Sequence, residues 1–341
     1  MASISIIIIN YNGAAYIEKC LSSALKNSFE KKDIIVIDNA SSDDSVKKMK
    51  DAMGRENFSQ KNKIIVKENS ENFGYSKAAN QGIRLAKGDY IMILNPDALL
   101  EKDYIQTILD YAEKNKIYGA FTGKLLKYDI KTDTKIPIID STGLYCFRNR
   151  RIIDREQGLQ DKNEGTMAED IFGVSGACPI YRKKALEDVK INGEYFDEDF
   201  FMYKEDIDIS WRMRLLGWNI AYIPKAVAYH ARGTGVLKRF THFEVAKNRI
   251  HLSRFQKSLA YRNQRLMQIK NELASNFLHD FPHILWKEIL IMGYILLREP
   301  YLLISIFQFM KMAPSAWKKR KMIMARKKVS AGDMQKWFHK F

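Results

Sequence analysis

The first 115 residues alternate short, continuous apolar runs with longer stretches in which apolar residues recur at helical spacing. Continuous β-branched runs predict strands buried on both faces, and a 3.6-residue period predicts amphipathic helices. The predicted strands cover residues 3–10, 33–38, 63–66 and 89–94, and the predicted helices cover residues 14–28, 42–53, 76–86 and 101–114. Four strand–helix repeats predict an α/β fold with a mostly parallel, Rossmann-like sheet flanked by helices.

The pattern between residues 117 and 200 is less regular. Residues 127–137 and 148–165 are predicted as loops or short hairpins, and long connections of this kind often serve as binding loops or lids. A helix is predicted at residues 205–216, ending at Gly217, followed by short strands at 218–223 and 226–229.

The distribution of charge divides the 341 residues into two predicted domains, 1–235 and 236–341. The first holds 35 Lys and Arg against 34 Asp and Glu, and the second holds 21 against 6. A near-neutral body with a basic, helical extension indicates an anionic partner, either a membrane surface or a nucleic acid.

The apolar part of this extension, residues 284–309, favours the membrane. Its longest uninterrupted run, 289–297, has nine residues, whereas a spanning helix needs about 20. We therefore expect amphipathic helices that lie in the interface of a membrane containing anionic lipids. Packing within a homo-oligomer is the alternative for the same residues.

The apolar N-terminus lacks a basic leader and a cleavage site, so we interpret it as a buried strand rather than a signal peptide. Three cysteines without metal-binding spacing fit a reducing, cytoplasmic compartment.

Polar side chains follow each of the first four predicted strands. In an open α/β sheet, ligands bind beyond the carboxyl ends of the strands. The strand-end segments are Asn10-Tyr11-Asn12-Gly13, Asp38-Asn39-Ala40-Ser41, Asn72-Phe73-Gly74 and Asn95-Pro96-Asp97. The pattern predicts a ligand site along this edge of the sheet.

Two carboxylates at these strand ends are candidates for chemistry. Asp97 could hold Mg2+, which takes one or two carboxylates and completes its shell with water and substrate phosphates. Asp38 could accept hydrogen bonds from a nucleobase or ribose. The alternative for both is turn formation, because Asp and Asn-Pro favour turns.

A second acidic group, Glu205 and Asp206, stands at the start of the helix predicted at 205–216. A carboxylate that takes a proton from an attacking hydroxyl contributes roughly 10²–10⁴-fold in rate. Acidic residues also stabilise a helix N-terminus through its dipole, which is the structural alternative.

The segments IIIINYNG, IVIDNASSDDS, ENFGYSKAANQGI and DYIMILNPDA, in this order, resemble the GT-A-fold glycosyltransferases of family 2. More narrowly they resemble the rhamnosyltransferase-like branch, and the resemblance covers residues 3 to about 232. It implies a donor site formed by these strand ends, with Asp97 as the ligand of Mg2+ or Mn2+. The implied donor-binding residues are Asn10, Tyr11, Asn12, Asp38, Asn72, Gly74, Asn80 and Asn95.

One position departs from the family pattern. The motif is usually Asp-x-Asp, and Asn95 stands at its first position. This change removes one negative charge beside the cation, so Asn95 is expected to contact the donor sugar.

The resemblance also assigns residues beyond the strand ends. It makes Asp206 the catalytic base, with Glu205 as the alternate, and a single base predicts inversion at the anomeric carbon. It implies that His230 completes the metal or diphosphate site. Arg212 could reach a phosphate, with a helix-surface salt bridge as the alternative. Gly176 and Ala177 are expected on the acceptor side.

The expected function is transfer of a sugar from a nucleotide-diphosphate donor to a glycan or polyprenyl-linked acceptor in cell-surface polysaccharide synthesis, on the inner face of the cell membrane. L-Rhamnose from dTDP-rhamnose is the first expectation, and a UDP-hexose is the alternative.

Two other functions fit the residues less well. A sugar nucleotidyltransferase would carry a Gly-rich, Arg-containing loop after its first strand, and the loop here is NYNGAAY. A nucleic-acid-binding protein would have no use for the apolar run at 284–309, so no nucleic-acid partner is expected.

Overall fold

A ten-stranded mixed sheet flanked by helices forms the body of the protein in the computed structural model, which describes residues 2–55, 64–163, 165–231 and 252–340. The strands are β1 Ile4–Asn10, β2 Lys32–Asp38, β3 Ile64–Glu68, β4 Tyr90–Leu94, β5 Ala98–Leu100, β6 Tyr118–Asp129, β7 Thr134–Ser141, β8 Leu144–Phe147, β9 Ile152–Asp154, β10 Glu169–Asp170, β11 Ile180–Arg182, β12 Asn219–His230 and β13 Phe338–His339. The helices are α1 Ile17–Lys26, α2 Ser45–Arg55, α3 Tyr75–Leu85, α4 Tyr104–Lys114, α5 Lys183–Val189, α6 Glu205–Leu215, α7 Arg254–Asn271, α8 Ala274–Arg298, α9 Leu303–Ala325 and α10 Ala331–Gln335. Short 3-10 helices cover Glu198–Phe200 and Pro300–Leu302.

The N-terminal half of the sheet is parallel, in the order β3-β2-β1-β4. β1, β2 and β4 are buried on both faces, as their continuous apolar runs predict, whereas the edge strand β3 is only partly buried. Ile6 and Ile8 of β1 lie in one hydrophobic cluster, and Ile7 and Ile9 lie in the other. Register pairs Asn10 with Asp38 at the carboxyl ends of β1 and β2. The predicted α/β fold is confirmed, and the strand ends meet at one edge.

The middle of the chain is more regular than its sequence pattern indicated. Residues 127–137 belong to a β-hairpin, because β6 continues to Asp129 and β7 begins at Thr134. β11 enters the sheet antiparallel between β4 and β6. The two strands predicted at 218–229 form the single strand β12, whose register against β6 shifts between Ile223 and Val227. Pro224 lies in this interval and lacks a backbone donor for the ladder.

The C-terminal helices pack onto the α/β body. Leu266 of α7 and Phe338 of β13 belong to the same hydrophobic cluster as Ile207 of α6. β13 pairs with β8, and the Phe338 ring contacts Trp211 edge-on, with ring centroids 5.8 Å apart. The described part of the second predicted domain therefore shares a core with the first. The predicted boundary at residue 235 falls outside the described residues.

Within the described ranges, no single helix is long and apolar enough to cross a membrane. By length and composition, α8 and the segment Pro300–Ala325 could cross only together, as a pair bent by 119°.

Candidate active site

Asn10 and Asp38 form a buried polar cluster at the ends of β1 and β2. The Asn10 Nδ2 lies 2.7 Å from Asp38 Oδ1 and 2.9 Å from Ser45 Oγ. Asp38 also accepts from the backbone N–H of Ser41 at 3.0 Å and from its hydroxyl at 2.7 Å. These bonds fix the Asp38 carboxylate, which is 2 % exposed, at the carboxyl end of β2.

Tyr11 and Asn12 form the rim beside this cluster. The Tyr11 side chain is 50 % exposed, so its ring is available for stacking. Asn12 has a left-handed backbone with φ of 51°. Its Oδ1 accepts from the N–H of Ser42 at 2.8 Å, which ties the loop after β1 to the loop after β2.

The turn after β3 is held by paired asparagines. Asn39 Nδ2 donates to Asn72 Oδ1 at 2.8 Å, and the N–H of Gly74 donates to the same oxygen at 2.9 Å. Gly74 has φ of +81°, and a Cβ there would lie 2.5 Å from the Phe201 ring. Asn72 and Gly74 therefore shape this side of the site.

Asp97 and His230 face each other at the sheet edge. The His230 Nε2 is 3.2 Å from Asp97 Oδ1, and its Nδ1 is 2.9 Å from Asp140 Oδ2. Burial alone would lower the pKa of His230, but the two carboxylates outweigh it and raise that pKa to about 9.

This trio fits a divalent cation. Asp140 behind the imidazole is the usual arrangement in which a carboxylate orients a histidine ligand toward a metal. Among the described residues, no group of three or more acidic, His or Cys side chains could hold a metal by itself. A pair of ligands suits a cation whose remaining positions are filled by water and by the phosphates of a bound nucleotide. Asp97 and His230 are the residues that would hold it.

The end of β4 is linked to the start of α6 through two intermediate residues. The Tyr75 hydroxyl lies 3.2 Å from Asn95 Oδ1 and 3.3 Å from the carbonyl oxygen of Gly176. The N–H of Gly176 donates to Asp206 Oδ2 at 3.1 Å. The structure thus brings Asn95, Gly176 and Asp206 together. Ala177 is buried and accepts from the N–H of Asn95 at 2.8 Å, so it supports this strand end.

Glu205 and Asp206 begin α6 and have perturbed pKa values. Burial, followed by the charge of Asp206, raises the pKa of Glu205 to about 8. Burial also raises the pKa of Asp206, against the opposing charge of Lys204. Asp206 accepts from the N–H groups of Gly176 and Ile207, whereas no described group bonds to Glu205 Oε2. A carboxylate with a raised pKa that is held by two N–H donors is suited to accept a proton from a hydroxyl group.

Two of the sequence-predicted donor residues point away from the site, and the expectation for them is corrected. Asn80 is fully buried; its Nδ2 donates to the carbonyl of Phe196 at 2.8 Å, and its Oδ1 accepts from the N–H of the same residue at 2.9 Å. Arg212 is 1 % exposed and donates to Asp208 and to the carbonyls of Val189 and Tyr195. Both side chains are used by the fold, so neither reaches a phosphate or a base here. Arg212 forms a salt bridge with Asp208, but this salt bridge is buried rather than on the helix surface, because both side chains are buried.

Two site residues were not found from the sequence. Asp140 lies at the end of β7, in the segment without a clear pattern, and nothing local marks it as a partner of a histidine 90 positions later. Tyr75 is part of the ENFGYS segment, but only its position between Asn95 and Gly176 shows its role.

The chain resembles known glycosyltransferases in sequence and fold. The family model described as "Glycosyl transferase family 2" matches residues 5–190. A poly-beta-1,6-N-acetyl-D-glucosamine synthase of Staphylococcus aureus is 30 % identical over 231 residues, which are 67 % of this chain and 50 % of that protein. The chain therefore spans about half the length of the curated relatives it matches.

Solved structures show the same fold at low sequence identity. Residues 1–349 of Staphylococcus aureus TarS, in complex with UDP-GlcNAc, align with a TM-score of 0.55 and 15 % identity, covering 95 % of this chain and 90 % of that one. GalNAc-T7 with UDP, GalNAc and Mn2+ aligns with a TM-score of 0.56 and 14 % identity, covering 88 % of this chain and 58 % of that one.

The fold and the strand-edge site define a glycosyltransferase of GT-A architecture. The chain belongs to glycosyltransferase family 2, as the match over more than half of its length shows. The rhamnosyltransferase-like branch stays a prediction.

Proposed function

We propose that this protein is an inverting glycosyltransferase that moves a sugar from a nucleotide-diphosphate donor to a glycan or lipid-linked glycan acceptor in cell-surface polysaccharide synthesis. The observation that carries the proposal is a series of hydrogen bonds from Asp206 to the end of β4. The N–H of Gly176 donates to Asp206. The Tyr75 hydroxyl lies within hydrogen-bond distance of both the Gly176 carbonyl and Asn95 Oδ1. A base and a nucleotide-binding strand end are thereby held in one rigid unit.

Asp206 is the proposed base. The acceptor hydroxyl gives its proton to Asp206 while its oxygen forms a bond to the anomeric carbon. The bond from that carbon to the diphosphate oxygen breaks, and its electron pair leaves with the nucleoside diphosphate. Attack opposite the leaving group inverts the configuration, whereas retention through a double displacement would require a second carboxylate as nucleophile.

The carboxyl ends of the parallel strands would hold the nucleotide-sugar donor. Asp38 and the exposed Tyr11 ring would bind the nucleoside, and Asp97 with His230 would hold Mg2+ or Mn2+. When bound, the cation neutralises charge on the departing diphosphate. Two structural neighbours are described in complex with Mn2+, which supports a divalent ion.

Two candidate donor sugars are proposed, each from a different similarity. The sequence resemblance predicts dTDP-L-rhamnose. The similarity to a poly-N-acetylglucosamine synthase, and the fold shared with TarS bound to UDP-GlcNAc, support UDP-N-acetylglucosamine as the second candidate.

A donor panel tests the function. Binding and hydrolysis of dTDP-rhamnose, UDP-GlcNAc, UDP-glucose and UDP-galactose would be measured with and without Mg2+ or Mn2+. The proteins are wild type, Asp97→Ala, Asp206→Asn and the exposed control Asp51→Ala. We expect one donor to bind only with metal, with binding lost in Asp97→Ala and kept in Asp206→Asn, whose turnover falls roughly 10²–10⁴-fold. Failure of every nucleotide sugar to bind wild type would overturn the proposal.

The same enzyme is proposed to work at the inner face of the cell membrane, because α8 buries polar residues and exposes large apolar ones. Its polar residues Asn276 and Asp280 are buried, while Leu297 is 83 % exposed and Leu278 is 71 % exposed. Asp280 pairs with the buried Arg150 at 2.8 Å. Other large apolar residues exposed on α8 and α9 are Phe281, Leu285, Trp286, Ile289, Leu290, Leu296, Ile304, Phe307 and Met310.

Charge favours an anionic lipid surface as the occupant of this apolar face. Residues 300–332 carry eight Lys and Arg and neither Asp nor Glu; one of the eight, Lys319, is buried against Asp197 and is not available to a lipid surface. Each basic residue near an anionic bilayer contributes about 1 kcal/mol. Exposed apolar area of this extent marks an interaction surface, and the basic segment that continues from it matches the lipid headgroups.

A further inference from the structure

The segment that leads into the catalytic carboxylates has a strained backbone. Phe201, Tyr203 and Lys204 have φ of 65°, 71° and 76°, values that non-glycine residues seldom adopt. Phe201 forms a tight turn, with ψ of −64° and a 2.7 Å bond from the N–H of Met202 to the carbonyl of Phe200. Such a segment persists only where its surroundings hold it in place. Glu205 and Asp206 follow it directly.

Helix α7 supplies the groups that hold this segment. The Asn263 side chain is fully buried, and its Nδ2 lies 2.9, 2.8 and 2.9 Å from the carbonyl oxygens of Phe200, Met202 and Tyr203. Arg262 Nη2 donates to the carbonyls of Asp199 and Phe200 at 3.0 and 3.3 Å. Three carbonyls that turn toward one amide define the path of the strained segment.

The strained segment also contacts the donor side. The carbonyl oxygen of Phe201 accepts from the N–H of Ser76 at 3.1 Å, and the Phe201 ring occupies the space that a side chain at position 74 would need. A shift of the segment would therefore displace Asp206 relative to the turn at Gly74.

The geometry points to Asn263 as a positioning residue for Asp206, a role that rests on the proposed function. Asn263 contacts neither substrate nor the base. It orders residues 200–203, and these set where the first turn of α6 begins. Misplacing a reacting group by about 1 Å can cost 10²-fold in rate, so the expected defect lies in turnover rather than in donor binding.

Asn276 provides a matched control. It is 3 % exposed, and its Nδ2 donates to the carbonyl of Ala331 at 2.9 Å and to Gln335. It therefore resembles Asn263 in burial and bonding but ties α8 to α10, away from the carboxylates. Arg262→Ala is the second variant at the strained segment, and it removes a partly exposed side chain.

The experiment compares kcat, donor KM, the pH profile of kcat and thermal stability in wild type, Asn263→Ala, Arg262→Ala and Asn276→Ala. We expect Asn263→Ala to lower kcat about 10²-fold, to leave the donor KM unchanged and to shift the acidic limb of the pH profile of kcat. Arg262→Ala should show a smaller change of the same kind. Asn276→Ala should lose similar stability and keep its kcat and pH profile. Wild-type kcat in both folded variants, or an equal loss in Asn276→Ala, would overturn the positioning role. An inactive wild type would instead contradict the proposed function.

Discussion

The imidazole Nε2 of His230 lies 3.2 Å from the Oδ1 of Asp97, although the two residues are 133 positions apart. Antiparallel pairing of β5 with β12 causes this, because the register sets Ala98 opposite His230. Asp140 at the end of β7 holds the other ring nitrogen at 2.9 Å. Three strands thus converge on one imidazole, and its orientation toward Asp97 is fixed by the sheet.

The first prediction concerns Asp140. Asp140→Asn should weaken Mn2+ binding in the presence of nucleoside diphosphate by about 10–100-fold, since a group that orients a ligand histidine contributes about that much. Asp97→Ala should remove binding altogether. Titration calorimetry would measure both, with Asp51→Ala as an exposed control. Unchanged Mn2+ affinity in Asp140→Asn would show that His230 is not held for a metal.

The second prediction concerns pH. The proposed base, Asp206, accepts a proton only in its ionised form, and burial raises the pKa of this residue. The rate should therefore rise with pH along an acidic limb that lies above the ordinary titration range of an aspartate. The pKa of Glu205 is raised to about 8, so this residue carries a proton at neutral pH and Glu205→Gln removes no charge there. The acidic limb of the kcat profile should therefore stay in place in Glu205→Gln. A limb that moves up, or disappears in Glu205→Gln, would indicate that Glu205 itself is the base.

The third prediction concerns stability. Asp197 is buried between Lys270 and Lys319. Burial alone would raise the pKa of Asp197, but the two ammonium groups outweigh it and hold that pKa below its ordinary value. Asp197→Asn leaves these charges partly unbalanced, so the free energy of unfolding should fall by about 3 kcal/mol at pH 7.

The pH dependence of that loss has a defined sign. A carboxylate with a lowered pKa stabilises the folded state above its unfolded-state pKa and loses this effect as the pH falls. In urea unfolding, the difference between wild type and Asp197→Asn should therefore stay constant from pH 7 to about pH 5 and shrink as the pH falls further. A difference that grows on acidification would contradict the ion-pair explanation.

The fourth prediction concerns the apolar face of α8 and α9. Wild type should sediment with vesicles containing anionic phosphatidylglycerol and bind less at high salt, because exposed charge interactions are screened. Trp286→Glu and Phe307→Glu should abolish sedimentation. The control Ile117→Glu changes a residue that is 62 % exposed elsewhere on the protein, and it should sediment like wild type.

Light scattering without lipid separates membrane binding from self-association. If wild type forms a dimer that Trp286→Glu and Phe307→Glu dissociate, and vesicles bind no protein, the face is an interface between two copies and the membrane proposal is wrong.

The sequence was sufficient to predict the fold class, the edge of the sheet that carries the candidate site, and membership of glycosyltransferase family 2. Buried parallel strands require continuous apolar runs, and their carboxyl ends share one edge, so the positions of Asp38 and Asp97 followed from local pattern. The acidic pair at the start of α6 was visible in the same way, because a helix start has its own signature.

The sequence did not show which polar side chains face the candidate site and which are bonded within the fold. Asn80 and Arg212 carry the right chemistry at suitable positions, yet both are bonded inward to the segment 189–208. Packing alone revealed the roles of Asp140 and Asn263 and the apolar side chains that α8 exposes. Contacts between residues far apart in the chain depend on strand register and helix docking, and the local sequence pattern does not encode these.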